Sequence, residues 1–425
     1  MNERMTEPAT RRQRLLQILG PGLITGASDD DPSGIATYAQ VGAQFGFGMS
    51  WVMLFSFPLM AAIQEISARI GRVTGQGIAG NIRSHYAPAL VRVVVGILLV
   101  ANIINLGADL GAMGDAVKLL VGGPAIAYVV LLGALCVGLE IFMQYRRYVN
   151  VLKWTTVALF AYVGTALVVD VPWGDVLFQT LVPSLQFDTG YIVAIVAVLG
   201  TTISPYLFFW QSSEEAEDER EDPDASPLVD APDQAPAAIH RIRVDTYLGM
   251  FFSNAISWFI IVTVAATLHA HGVTEIATSA QAAEALRPIA GPFAFFLFAL
   301  GIIGTGMLAV PVLAGSAAYA LAEAFEWPSG LARLPMEAKA FYGTIAVATL
   351  IGVAFNLLPI DPIKALFWAA VLNGVTAVPI MVITMLMARQ RRVMGAFILS
   401  WPLAAMGWLA TLVMAVVVVA MFATW

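Results

Sequence analysis

The chain is 425 residues long, 59% hydrophobic and only 12% charged, with a formal net charge of −7 at pH 7. A soluble domain carries roughly 25% charged residues to wet its surface, so a chain this poor in charge has to turn much of its surface toward lipid. A single cysteine, Cys136 in an apolar run, excludes a disulfide scaffold and any CxxC metal or redox motif.

The basic segment to Arg14 has neither a short apolar core nor a small-residue cleavage site, so the first apolar segment is expected to stay in the membrane. A helical span needs about 20 apolar residues, and eleven segments qualify: 16–45, 47–68, 92–117, 124–143, 151–170, 189–211, 245–270, 289–316, 340–358, 363–387 and 395–423. Placing the tail, residues 1–15, in the cytoplasm puts all but Lys118, Arg287 and Lys364 of the 22 Lys and Arg on that side. This asymmetry supports an odd number of spans and an outer C-terminus. The membrane-embedded core is expected over 16–387 and an additional helix over 388–425. The one long hydrophilic connection, 214–240, opens with EEAEDEREDPD and reads as a solvated cytoplasmic linker, since blocks of like charge repel.

Two apolar segments are interrupted by proline in corresponding places. The first reads GPGLITGASDDDPSGIATYAQVGAQFG, with Asp31-Pro32-Ser33-Gly34 at its middle, and the sixth reads YIVAIVAVLGTTISPYLFFWQ, centred on Ser204-Pro205. Proline removes a backbone donor and clashes with the preceding turn, so each helix should unwind just before it. The two segments are five spans apart, the spacing expected of inverted repeats over 16–170 and 189–387, and paired interruptions of this kind point to a substrate site at the membrane midplane. Unwound backbone supplies carbonyl oxygens and Asp31 adds a carboxylate. No Lys or Arg lies in the cores of the neighbouring spans to neutralise it, so a bound cation is its natural partner. The candidate ligands are Asp31, Ser28, Ser33 and Gly34 at the first break and Thr201, Thr202 and Ser204 at the sixth. The alternative for Asp31 is a helix cap; Asp29 and Asp30 read as caps or vestibule-facing acids. The three hydroxyls of the sixth segment either ligate or satisfy the broken helix. Asn373, in the tenth segment, either reaches the site or bonds a neighbouring helix.

At these residues the chain resembles the Nramp family of divalent metal transporters. The likeness covers nearly the whole length: a GPG opening, a DP pair where the family has DPGN, Gln64-Glu65 followed by ARIGRVTGQGIAG, and a central proline where the family has MPH. The resemblance implies an all-α polytopic membrane protein of the LeuT type, with two inverted five-helix repeats, broken helices 1 and 6, and alternating access. It also implies a prokaryotic inner-membrane location, a metal ion as substrate and no need for an oligomer.

The departures narrow the expectation. In the family the aspartate and asparagine of DPGN and the methionine of MPH contact a transition metal; here Asp31 keeps the aspartate, while Gly34 and Ser204 stand in the other two places. Losing the thioether leaves an oxygen-only site, which suits hard ions, and the smaller residues should widen the cavity for a partly hydrated Mg²⁺ or Mn²⁺. The pattern resembles the Nramp-related magnesium transporters. The family's third-span acids fall at Asn105 and Ala108 and its sixth-span histidines at Tyr206 and Gln211. With those ionisable relays missing, weak or absent proton coupling is expected; Asp109 is the one carboxylate nearby that could serve as a relay. The rival expectation is a proton-coupled Mn²⁺/Fe²⁺ symporter. No HExxH, no GxSxG with a suitable His and no intramembrane His–carboxylate cluster appears, so neither catalysis, a cofactor nor a nucleic-acid partner is expected.

Overall fold

The computed structural model describes residues 21–142 and 156–425. The N-terminal tail, the start of the first segment, and the connection holding Arg146, Arg147 and Lys153 lie outside the described residues. Within them every regular element is a helix. In chain order those of eight residues or more are α1 (Pro21–Asp29), α2 (Pro32–Phe45), α3 (Trp51–Thr74), α4 (Ile78–His85), α5 (Pro88–Val121), α6 (Ala125–Phe142), α7 (Phe160–Val168) and α8 (Trp173–Leu181). They continue as α9 (Thr189–Thr202), α10 (Pro205–Glu221), α11 (Ala235–Thr267), α12 (Ala294–Phe325), α13 (Lys339–Phe355), α14 (Pro362–Ala388) and α15 (Trp401–Thr424).

Both expected interruptions are present. α1 stops at Asp29 and α2 starts at Pro32; α9 stops at Thr202 and α10 starts at Pro205. The residue before each proline is extended, Asp31 at φ −67°, ψ 170° and Ser204 at φ −80°, ψ 130°, as the proline ring requires of its predecessor. Proline alone does not explain the breaks, because Pro58, Pro311 and Pro379 lie inside continuous helices. What distinguishes the two sites is a polar side chain able to satisfy the freed backbone. The Asp31 carboxylate accepts the Gly34 N–H at 2.7 Å, and the Ser204 hydroxyl lies 2.7 Å from the Gly200 and Thr201 carbonyls. One break is capped at a helix start and the other at a helix end.

Among the described residues, eight helical stretches are long and apolar enough to cross a membrane, with α9 and α10 counted as one. That pair is the centre of the bundle: 94% of its apolar window is buried, against 28% for α6 and 39% for α15, which turn most of their surface outward. α5 packs along α12, α9 along α14, α10 along α3, and α11 along α1. The α9–α14 contact is close enough to require glycine on both sides. A Cβ on Gly200 would lie 2.0 Å from the Ala370 carbonyl oxygen, and one on Gly374 would lie 2.7 Å from that of Val196. The segment expected at 340–358 is the 17-residue α13. The one expected at 151–170 begins outside the described residues; α7 then turns through 119° into α8.

The acidic connection departs from expectation. Its run is not a loop: α10 continues to Glu221, with Glu215, Glu217 and Glu219 buried. The like charges are offset by partners distant in sequence. Arg72 of α3 pairs with Glu219 at 2.8 Å and donates to the Ser226 carbonyl at 2.6 Å, Arg241 pairs with Glu215, and Glu217 accepts the Ala332 N–H at 2.8 Å. Buried charges persist only with partners of this kind.

Gly200→Val places a branched side chain against the α14 backbone. The substitution should cost about 2 kcal/mol or more, seen as a lower melting temperature in fluorescence-detected size-exclusion chromatography. An unchanged melting temperature would contradict the close α9–α14 contact.

Candidate ion site at the two helix breaks

Asp31 is 2% exposed and stands where α1, α2, α5 and α10 meet. Its two oxygens have separate tasks. Oδ1 accepts the Gly34 N–H at 2.7 Å and the Ser33 hydroxyl at 2.6 Å, so it caps α2. Oδ2 faces the other way, toward Asn105 Nδ2 at 3.1 Å and the Tyr206 hydroxyl at 3.3 Å. The cap reading and the ligand reading are therefore compatible, because one oxygen serves each. Oδ2 meets only neutral donors, at long distances, and among the described residues no cationic side chain pairs with Asp31. A carboxylate so placed at membrane depth is under-compensated, and a cation in contact with Oδ2 would correct that.

The other candidates distribute around this centre. Ser33 orients the carboxylate through Oδ1. The buried Ser28 hydroxyl has no partner, while its carbonyl lies 3.1 Å from the Tyr206 hydroxyl. On the α9 side, the Thr201 hydroxyl is 2.6 Å from that of Tyr38, and Thr202 bonds back to the Val198 carbonyl at 3.0 Å. With Ser204 also bonded back to its own helix, the three hydroxyls satisfy the broken segment in this conformer. Asn373 bonds a neighbouring helix: its amide reaches across from α14 to Asn105 Oδ1 at 3.3 Å, and so joins the hydrogen-bond network that ends on Asp31.

Two expectations require correction. The space left by glycine at position 34 is not open: a Cβ there would lie 3.2 Å from the Asp29 carbonyl oxygen and from the Tyr38 ring. The neighbouring aromatic ring and main chain fill the volume that a larger residue would take. Nor do Asp29 and Asp30 face a vestibule. They are 1% and 6% exposed and turn toward α11, where the Ser253 hydroxyl lies 2.6 Å from Asp29 Oδ2 and 3.1 Å from Asp30 Oδ1.

Asn105 and Tyr206 contribute most among the residues that were not named as candidates. Each stands where the resemblance places a titratable residue, and each instead gives a neutral donor to Asp31. Asn105 Nδ2 also lies 3.4 Å from Asp109 Oδ2, linking the two acids through one amide. The available signal was a polar side chain inside an apolar span, which is rarely idle.

The chain is similar to known proteins along almost its whole length. The model of the family described as "Natural resistance-associated macrophage protein-like" (Nramp) matches residues 22–424. The divalent metal cation transporter MntH of Deinococcus radiodurans is 27% identical over 417 residues, covering 96% of this chain and 89% of its own. Among solved structures, a manganese transporter of Eremococcus coleocola superposes with a TM-score of 0.75 at 16% identity, over 99% of this chain and 89% of that one. MhsT in complex with L-phenylalanine superposes at 0.60 and 14% identity, over 95% and 98% of the two chains. At such identities the two structures establish a shared fold. With its apolar helices and a family match across almost its entire length, this multi-pass membrane protein belongs to the Nramp family of divalent metal cation transporters.

Proposed function

We propose that the chain carries Mg²⁺, and Mn²⁺ with it, across the prokaryotic inner membrane by alternating access without obligatory proton coupling. The observation that carries this reading is the character of the groups around Asp31. One carboxylate oxygen is available, the groups facing it are the Asn105 amide and the Tyr206 hydroxyl, which itself reaches the Ser28 carbonyl, and a serine stands where the family's soft methionine ligand would be. Oxygen-only sites favour hard cations, and Mg²⁺ gives up its water reluctantly, so it is commonly held by few protein ligands. The names of the relatives, manganese and divalent-metal transporters, support the substrate class. Neutral Asn105 and Tyr206 support transport without a dedicated proton relay.

In this reading the chain has eleven spans. The α1–α2 pair, the segment ending in α7, and α13 join the eight longer stretches, and inverted repeats relate the first five spans to the next five. The N-terminus is cytoplasmic, which the distribution of Lys and Arg supports, and the C-terminus is outside. Asp31 is the principal ligand; Ser28, Ser33, Gly34, Thr201, Thr202, Ser204 and Asn373 supply oxygens or orient the break during the cycle.

One observation favours a second reading, a proton-coupled Mn²⁺/Fe²⁺ symporter. Asp109 is buried, and the Asn105 amide connects it to Asp31. The two readings separate in proteoliposomes loaded with a pH dye. Facilitated Mg²⁺ transport should give Mn²⁺ uptake that millimolar Mg²⁺ suppresses and no ion-driven change of lumenal pH. Acidification in step with uptake and indifference to Mg²⁺ would favour the symporter.

Asp31→Ala should lower uptake of both ions about 100-fold or more, since even outer-shell changes at metal sites cost 10–100-fold, while the protein stays monodisperse. Ser204→Met restores a soft ligand and should shift preference toward Cd²⁺ and away from Mg²⁺. An unaltered Cd²⁺/Mg²⁺ ratio in competition uptake would remove Ser204 from the account of selectivity.

A further inference from the structure

The Asp31 centre uses only one of three consecutive buried carboxylates. Asp29 and Asp30 point to a different helix, α11, and they are poorly provided for. Their four oxygens face two hydroxyls, each with one proton to give. Ser253 Oγ is 2.6 Å from Asp29 Oδ2 and 3.1 Å from Asp30 Oδ1. Ser257 Oγ is 3.3 Å from Asp30 Oδ1 and closer, at 3.0 Å, to its own helix's Ser253 carbonyl. Asp29 Oδ1 is buried without any hydrogen-bond partner, and among the described residues no Lys, Arg or His pairs with either acid. If both acids are ionised, so few donors cannot settle them at membrane depth.

The oxygen spacing suggests what is missing. In an octahedral shell with metal–oxygen distances of about 2.1 Å, neighbouring ligand oxygens lie about 3 Å apart. Ser253 Oγ already lies at such separations from one oxygen of each acid, 2.6 Å from Asp29 Oδ2 and 3.1 Å from Asp30 Oδ1, and the orphaned Asp29 Oδ1 belongs to the first of these carboxylates. We propose that Asp29, Asp30 and Ser253, with Ser257 beside them, form a second site for a hard divalent cation, distinct from Asp31 and facing α11 instead of α5 and α10. Its two carboxylates match the charge of one Mg²⁺ or Mn²⁺. Ions at the two sites would sit on opposite sides of the same helix break, so occupancy of one bears on the other. The inference stands on the α11 geometry and does not need the Asp31 reading to hold.

The test is equilibrium Mn²⁺ binding to the purified full-length chain in nanodiscs, with free Mn²⁺ read from its aqueous EPR signal. The wild type should bind two ions per chain. Asp29→Asn/Asp30→Asn should remove one while the other, lost in Asp31→Ala, remains, which also shows that the double variant is folded. Ser253→Ala should weaken the α11-facing ion about tenfold or more, a loss of about 1.4 kcal/mol of binding. One ion in the wild type, unaffected by the Asp29/Asp30 and Ser253 changes, would overturn the proposal. Because Asp31→Ala is scored separately, failure of the Asp31 reading is distinguishable from failure of this one.

Discussion

A carboxylate at the junction of two interrupted helices, inside a membrane and with no cationic side chain paired to it among the described residues, is the constraint on which the rest of this molecule depends. Burying it costs free energy unless something positive arrives, and breaking the helices exposes backbone groups that lipid cannot satisfy. The protein meets the second cost locally, by giving Asp31 Oδ1 to the start of α2 and the Ser204 hydroxyl to the end of α9. It leaves the first unmet. Only neutral donors address Asp31 Oδ2, and they sit at 3.1 and 3.3 Å. That imbalance is what makes the break a site and not merely a kink.

The packing around the break follows from the same need. Irregular backbone is tolerated at depth only when protein encloses it, and α9–α10 is accordingly the most enclosed of the long apolar stretches, 94% buried. Gly200 and Gly374 let α14 approach α9 at backbone distance, and Asn373 then reaches Asn105 and through it Asp31. At the far end of α10, buried Glu215 and Glu219 take Arg241 and Arg72 from α11 and α3. One continuous path of packed helix thus joins the acid run to the break.

Much of this was legible in the residues themselves. Asp31-Pro32 and Ser204-Pro205 announced both breaks, because proline's effects are local and need no tertiary knowledge. The long apolar runs and the family likeness followed from composition and motif. What escaped depended on contacts between distant parts of the chain. EEAEDERE reads as a repelling, unfolded block until Arg72 and Arg241 are placed beside it. Asp29 and Asp30 look like vestibule acids until Ser253 and Ser257 turn out to face them. Gly34 suggests open space until the Tyr38 ring is seen to fill it. Pro58, Pro311 and Pro379 carry the converse lesson: the residue that marks a break is also carried within intact helices when no polar partner invites unwinding.

Anomalous scattering from crystals grown with Mn²⁺ bears most directly on the central claim, that an ion neutralises Asp31 Oδ2 at the junction of the breaks. The account requires a peak within coordinating distance of that oxygen, about 2.2 Å for an oxygen-ligated Mn²⁺, weakened when Mg²⁺ is in excess and gone in Asp31→Ala. A protein that transports Mn²⁺ yet shows no density beside Asp31, or keeps its peak there after the carboxylate is removed, would contradict it.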